Sequence, residues 1–150
     1  MSNQFVVFEL GNENYGVNIA SVESIIKMQA ITKIPHSKDF VAGVTNLRGK
    51  VLPVVELRKR FGLPEGEAGK NNRIIIISVN EIEVGMIVDG VSEVLTIQEE
   101  NVVPTPPITA TIDSSFITGI AKVEQRLIIL LDLGKVLSTS EQQSLAEMAV

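Results

Sequence analysis

One histidine, no cysteine and a scatter of carboxylates are what this chain offers for chemistry. His36 follows Ile34-Pro35 and has no second histidine or cysteine to share a metal ion, so it is expected to be an exposed loop residue rather than a ligand or general base. Glu56 and Asp132 invite comparison with a catalytic carboxylate pair. Each, however, ends an apolar run just before a short helical pattern, Leu57-Arg-Lys-Arg-Phe61 and Leu133-Gly-Lys-Val-Leu137. A carboxylate there accepts backbone N–H bonds and opposes the helix dipole, so capping is the expected role. Asp113-Ser114-Ser115 would need His36 to complete a hydrolase triad, and nothing in the sequence links them. Gly69-Lys70 resembles the end of a phosphate-binding loop. Yet Pro64 stands where the first glycine belongs, and Asn71 where a magnesium-binding hydroxyl is needed, so residues 62–72 read as an exposed linker. The basic triplet Arg58-Lys59-Arg60 is flanked by Glu56, Glu65 and Glu67 without stacking aromatics, the pattern of a solvated helix face. No catalytic residue, metal site or cofactor is expected, and the function must lie in surfaces.

Composition points the same way. The 150 residues fit one domain or two very small ones. The net charge of −5 argues against a nucleic-acid partner, which would require phosphate neutralisation. The start, MSNQFVVFEL, lacks the pattern of a secretory signal. Apolar runs such as Ile74 to Ile77 fall far short of the roughly 20 residues of a membrane span. A cytoplasmic protein without direct membrane insertion is expected.

The elements that must position any surface are strands. Phe5-Val6-Val7-Phe8, Ile74 to Ile77 and Leu127 to Leu131 are short and rich in β-branched residues or leucine, as buried strands are. Gly11-Asn12-Glu13-Asn14, Arg48-Gly49, Val79-Asn80-Glu81 and Glu124-Gln125 mark tight turns between them. The chain also repeats itself. From Phe5 laid without gaps on Ile74, Gly16, Val22 and Ile25 meet Gly85, Val91 and Val94. After an insertion near Pro104-Thr105-Pro106-Pro107, Gly43 to Leu57 lies over Gly119 to Leu133. Halves of about 60 residues are marginal alone, so an all-β fold of two small barrels sharing a core is expected. The barrel-forming halves span about 5–62 and 72–137, with strands free to be exchanged. In the tail, 138–150, Ser140-x-x-Gln143 forms a capping box ahead of Leu145 and Met148, the mark of a short helix that packs on a barrel or frays.

The repeat is interrupted at one turn. Asn46, Arg48 and Gly49 stand opposite Lys122, Glu124 and Gln125, so an arginine is matched by the opposite charge. Glycine suits a positive φ, whereas arginine is a frequent interface anchor.

From Phe5 to about Leu137 the chain resembles the CheW family of bacterial chemotaxis coupling proteins. The similarity rests on Phe8-Glu-Leu-Gly with Tyr15-Gly-Val; Asn46-Leu-Arg-Gly49 with Val51 to Arg58; Val84-Gly85-Met-Ile-Val88-Asp89 with Val91-Ser-Glu-Val94; and Gly119-Ile120 with Leu127 to Leu133. The resemblance implies a single CheW-like domain of two five-stranded, SH3-like barrels around a common core. It also implies an adaptor between cytoplasmic tips of chemoreceptors and a CheA-type histidine kinase, recruited to receptor arrays at the inner face of the membrane. By motif position, Arg48 and Val51 would contact a partner, Gly85, Val91 and Val94 would line the receptor groove, and Val22 with Ile25 would face the kinase. The family's Val-x-Glu-Ile reads Val22-Glu23-Ser24-Ile25 here. The displaced carboxylate would point to the opposite face of a strand. A coupling protein of a non-chemotaxis array and a small-barrel binding module of another class are the alternatives.

Overall fold

The computed structural model describes residues 2–35, 38–63, 69, 71–79, 81–104, 116–137 and 139–148. His36, most of the linker, Pro106-Pro107 and Asp113-Ser114-Ser115 lie outside the described residues. Among the described residues eleven strands, numbered in chain order, carry the fold: β1 Ser2–Leu10, β2 Glu13–Asn18, β3 Val22–Lys27, β4 Val41–Leu47, β5 Lys50–Glu56, β6 Arg73–Val79, β7 Ile82–Val88, β8 Gly90–Gln98, β9 Val102–Val103, β10 Ile117–Val123 and β11 Arg126–Leu131. Helix α1 is Leu57–Arg60 and helix α2 is Thr139–Met148. Antiparallel neighbours meet at each expected turn, in the pairs Leu10↔Glu13, Leu47↔Lys50, Val79↔Ile82 and Val123↔Arg126, but Glu13, Asn14 and Val79 belong to the strands rather than to the turns.

Two mixed sheets result, and each draws strands from both halves of the repeat. Sheet 1 runs β8-β1-β2-β11-β10-β9 and sheet 2 runs β3-β6-β7-β5-β4. Under the repeat, β1, β2 and β8 of sheet 1 correspond to β6, β7 and β3 of sheet 2, so the exchange is symmetric. Both sheets close through the chain itself. β9 follows β8 after the 3-10 turn Glu99–Asn101 and pairs with β10, the opposite end of sheet 1. In sheet 2 the segment after β3 returns to β4, where Thr32 and Val44 exchange backbone hydrogen bonds of 2.8 and 2.9 Å.

The uniform apolar runs are explained by strands buried on both faces. In β1, Val6 and Phe8 enter a large central cluster while Val7 enters a second cluster formed within sheet 1. In β6, Ile75 and Ile77 join the central cluster, and Ile74 and Ile76 a third cluster within sheet 2. The shared core is therefore the layer between the sheets. Paired glycines make both sheets possible. A Cβ on Gly43, at φ 141°, would sit 2.1 Å from the Thr32 carbonyl oxygen, and one on its counterpart Gly119 2.8 Å from Val102 Cγ1. Each marks a bulge where the closing segment crosses.

Two expectations need correction. The described part of the tail packs, one of its two expected outcomes, but its cap differs. Leu145 is 1% exposed within the central cluster, and Gln142 Nε2 donates to the Gly134 and Leu137 carbonyls at 3.2 and 3.1 Å. Helix α2 begins at Thr139, so Ser140 lies inside it rather than at its cap. The basic triplet is not simply solvated. Arg60 Nε donates to the Val136 carbonyl at 2.9 Å, its Nη2 lies 3.3 Å from Glu141 Oε1, and its guanidinium sits 5.3 Å from the Phe40 ring centroid. Among the described residues, no helix is long and apolar enough to cross a membrane.

Candidate partner-binding surface

The hairpin between β4 and β5 turns on Arg48 at φ 51° and Gly49 at φ 86°, both left-handed as a type I′ turn requires. Asn46 Oδ1 accepts the Gly49 N–H at 2.8 Å and holds the turn. A Cβ on Gly49 would meet nothing within 4 Å, so φ alone favours glycine there. Arg48 is exposed, and among the described residues no carboxylate pairs with it. Below the turn lies a cleft of about 220 Å³ lined by Leu47, Val51 and Ile82 with Lys50, Glu81 and Glu83 at its edges.

The far end of β3 reaches the same place. Gln29 Nε2 donates to the Asn46 carbonyl at 2.6 Å and to Thr45 Oγ1 at 2.8 Å, while Thr45 Oγ1 donates to the Ala30 carbonyl at 2.6 Å. Ile25 and Met28, each 38% exposed, precede that junction. Arg48 and Val51 thus share the β4–β5 hairpin, and the segment that follows Ile25 and Met28 meets that hairpin through Gln29; Met28 is an addition that sequence patterning missed. A cation beside exposed aliphatic side chains suits docking of a protein.

The other expected residues are placed differently. Val22 and Val91 are half-buried against the central cluster. Gly85 is buried, and a Cβ there would lie 2.7 Å from Ile74 Cγ2; it makes room for packing and offers no surface, as does its counterpart Gly16 beside Leu130 Cδ2 at 3.0 Å. Val94, 50% exposed, lies on β8 of sheet 1 beside the Glu93–Arg126 ion pair of 3.2 Å. It is the repeat counterpart of Ile25. Leu127, 58% exposed, is the counterpart of Val51, a signal already in the repeat. Glu23 falls at a bulge between Val22 and Ser24 and is exposed like Ile25, whereas Ser24 is half-buried, so the displaced carboxylate lies on the side opposite to position 24.

The carboxylates expected to cap do so unequally. Asp132 accepts the Gly134 N–H at 3.0 Å, whereas Glu56 makes no capping bond and lies 3.9 Å from Lys59 Nζ. Its longer side chain does not fold back as an aspartate does. Asp89 is held by a two-pronged contact: Arg58 Nε and Nη2 grip its two oxygens at 2.8 and 2.7 Å, and Gly11 N–H donates to Oδ2 at 2.8 Å. Burial alone would raise the Asp89 pKa, but the bonds from Arg58 and Gly11 outweigh it and hold the carboxyl below its usual range. Among the described residues no three His, Asp or Glu side chains gather as a metal site.

Residues 4–141 match the model of the CheW-like domain. A chemotaxis protein CheW of Bacillus subtilis is 38% identical over 141 residues, covering 94% of this chain and 90% of that protein. One from Klebsiella aerogenes is 36% identical, covering 94% and 85%. The crystal structure of the scaffolding protein TtCheW from Thermoanaerobacter tengcongensis superposes with a TM-score of 0.85 at 42% identity, covering 94% of this chain and 91% of that one. With matched strands, paired glycines and an exposed arginine turn in one fold, the chain belongs to the CheW family.

Proposed function

We propose that this protein is a non-enzymatic adaptor of chemotaxis signalling, which couples the cytoplasmic tips of chemoreceptors to a CheA-type histidine kinase. The observation that carries the proposal is the pair of pseudo-equivalent surfaces with opposite charge at their tips: Ile25 and Val51 with Arg48 on sheet 2, Val94 and Leu127 with Glu124 on sheet 1. A partner built on a similar domain can present the complementary copy of such a face. The kinase engages sheet 2 at Ile25 and at the Arg48–Val51 hairpin, and the receptor tip lies between the sheets near Val94, so both are held at once. Location at the inner face of the membrane follows from the receptors that the adaptor binds.

The test is a pull-down of the full chain against a CheA-type kinase fragment and a receptor cytoplasmic fragment, singly and together. Capture of both in one complex is the expected result. Capture of neither would overturn the proposal, and capture of the kinase alone would reduce it to a kinase-binding module.

A further inference from the structure

The chain crosses between the two sheets in unequal ways. From β2 of sheet 1 to β3 of sheet 2 it passes through the 3-10 turn Ile19–Ser21, capped by Asn18 Oδ1 accepting the Ala20 N–H at 2.9 Å. At the equivalent crossing, β7 of sheet 2 ends at Val88 and β8 of sheet 1 starts at Gly90, leaving Asp89 alone between them. The groups that hold Asp89 come from both sides. Its N–H donates to the Glu9 carbonyl at 2.9 Å, and its carboxylate accepts the Gly11 N–H, both on the β1–β2 hairpin of sheet 1. Arg58 reaches it from α1, directly after β5 of sheet 2. The side chains of Arg58 and Asp89 are 22% and 24% exposed, so water screens the pair only in part.

We infer that the Arg58–Asp89–Gly11 clamp is a positioning device: it fixes the angle between the sheets, and with it the shape of the surface they jointly present. A two-pronged guanidinium–carboxylate contact constrains direction as well as distance. A one-residue crossing has few dihedrals to absorb rotation, and the clamp removes those that remain. The functional consequence, that the clamp tunes partner affinity, rests on the adaptor role proposed above; the geometric claim does not.

The absence of cysteine allows a direct test. Spin labels at Ser78→Cys on β6 and Thr96→Cys on β8, both exposed, report the distance between the sheets by pulsed electron paramagnetic resonance. The parent should give one narrow distribution. Arg58→Gln should widen it roughly twofold or more, as when a hinge gains further arrangements, while circular dichroism still shows a cooperative melt. Arg58→Lys, which keeps charge but loses the fork, should lie between and carries the test alone if Arg58→Gln does not fold. An unchanged width in a folded Arg58→Gln chain, or in Arg58→Lys where that variant stands alone, overturns the inference and leaves the pair a stabilising contact only. Titration of a CheA-type kinase fragment on the same samples separates the two proposals: no binding by the parent sinks the adaptor role, whereas the distance result still decides the clamp.

Discussion

The sheet 1 and sheet 2 hairpins, Val123–Arg126 and Leu47–Lys50, are built from equivalent stretches of one repeated pattern and differ where they face solvent. Both put a charged residue at positive φ, Glu124 at 58° and Arg48 at 51°, and both lead into a strand whose second residue is aliphatic, the exposed Leu127 or the half-buried Val51. What they share serves the fold: the bulge glycines Gly119 and Gly43, and the backbone bonds from Asp132 N–H to the Phe116 carbonyl and from Glu56 N–H to the Phe40 carbonyl, at 2.8 and 2.7 Å. What they do not share is the sign of the tip charge and the depth of the following aliphatic side chain. Features that closure of a sheet requires recur in both halves, and features of only one half are free to serve a partner.

The comparison breaks most severely if the halves are separated. A fragment starting at Gly69 would keep β6 and β7 without β3 to β5, and β8 to β11 without β1 and β2. It should show no cooperative thermal transition by circular dichroism; a cooperative melt would mean that the exchanged strands are dispensable. Next in size is Gly43→Ala, whose Cβ would collide with a backbone oxygen that cannot rotate away. A loss of about 4 kcal/mol or more in urea titration is expected, the range of severe core disruption. Gly119→Ala should cost clearly less, because its nearest contact is a valine methyl that can move and its φ is ordinary. Leu145→Ala follows at about 3 kcal/mol, typical for a leucine emptied from a packed core. A change under about 0.5 kcal/mol would favour the frayed tail, the other of the two outcomes that the sequence left open.

These cases mark what the sequence reveals. The repeat is readable because burial on both faces forces apolar residues into β1 and β6 alike, and the hairpins because turn residues carry their own signals. Which sheet a strand joins is not readable, since a crossing of three residues, as at Ile19–Ser21, and one of a single residue, as at Asp89, both carry the chain to the other sheet. Nor are Arg58–Asp89 and Arg60–Glu141, because nothing local announces an ion pair across the linker or to the tail. Of the candidate site, Ile25, Arg48, Val51 and Val94 were placed on surfaces by motif position alone. Val22 and Val91 lean inward because alternation along β3 and β8 turns them toward the central cluster. Gly85 looks functional in a motif, but its neighbour Ile74 supplies the packing reason for it.

A smaller effect sharpens the contrast between the two crossings through pH. The Asp89 carboxyl titrates lower folded than its unfolded value of about 3.9. Its stabilisation is therefore complete above about pH 4 and is lost as the pH falls through the lower, folded value. Asp89→Asn should melt below the parent at neutral pH, and the gap should narrow in acid below about pH 4. A gap that stays constant into acid would show that the ionised carboxylate is not what the clamp uses.

The smallest effect on stability carries the largest meaning for function. Arg48→Glu copies the tip of the other hairpin, so it should leave the melt nearly unchanged, within the about 0.5 kcal/mol of ordinary surface changes. Titration calorimetry of that variant against the CheA-type kinase and receptor fragments is the measurement that decides. Affinity for one of them should fall at least roughly tenfold, equivalent to about 1.4 kcal/mol. Affinity for both unchanged, in a chain that melts like the parent, would contradict the account and leave Arg48 a solvated residue at a hairpin tip.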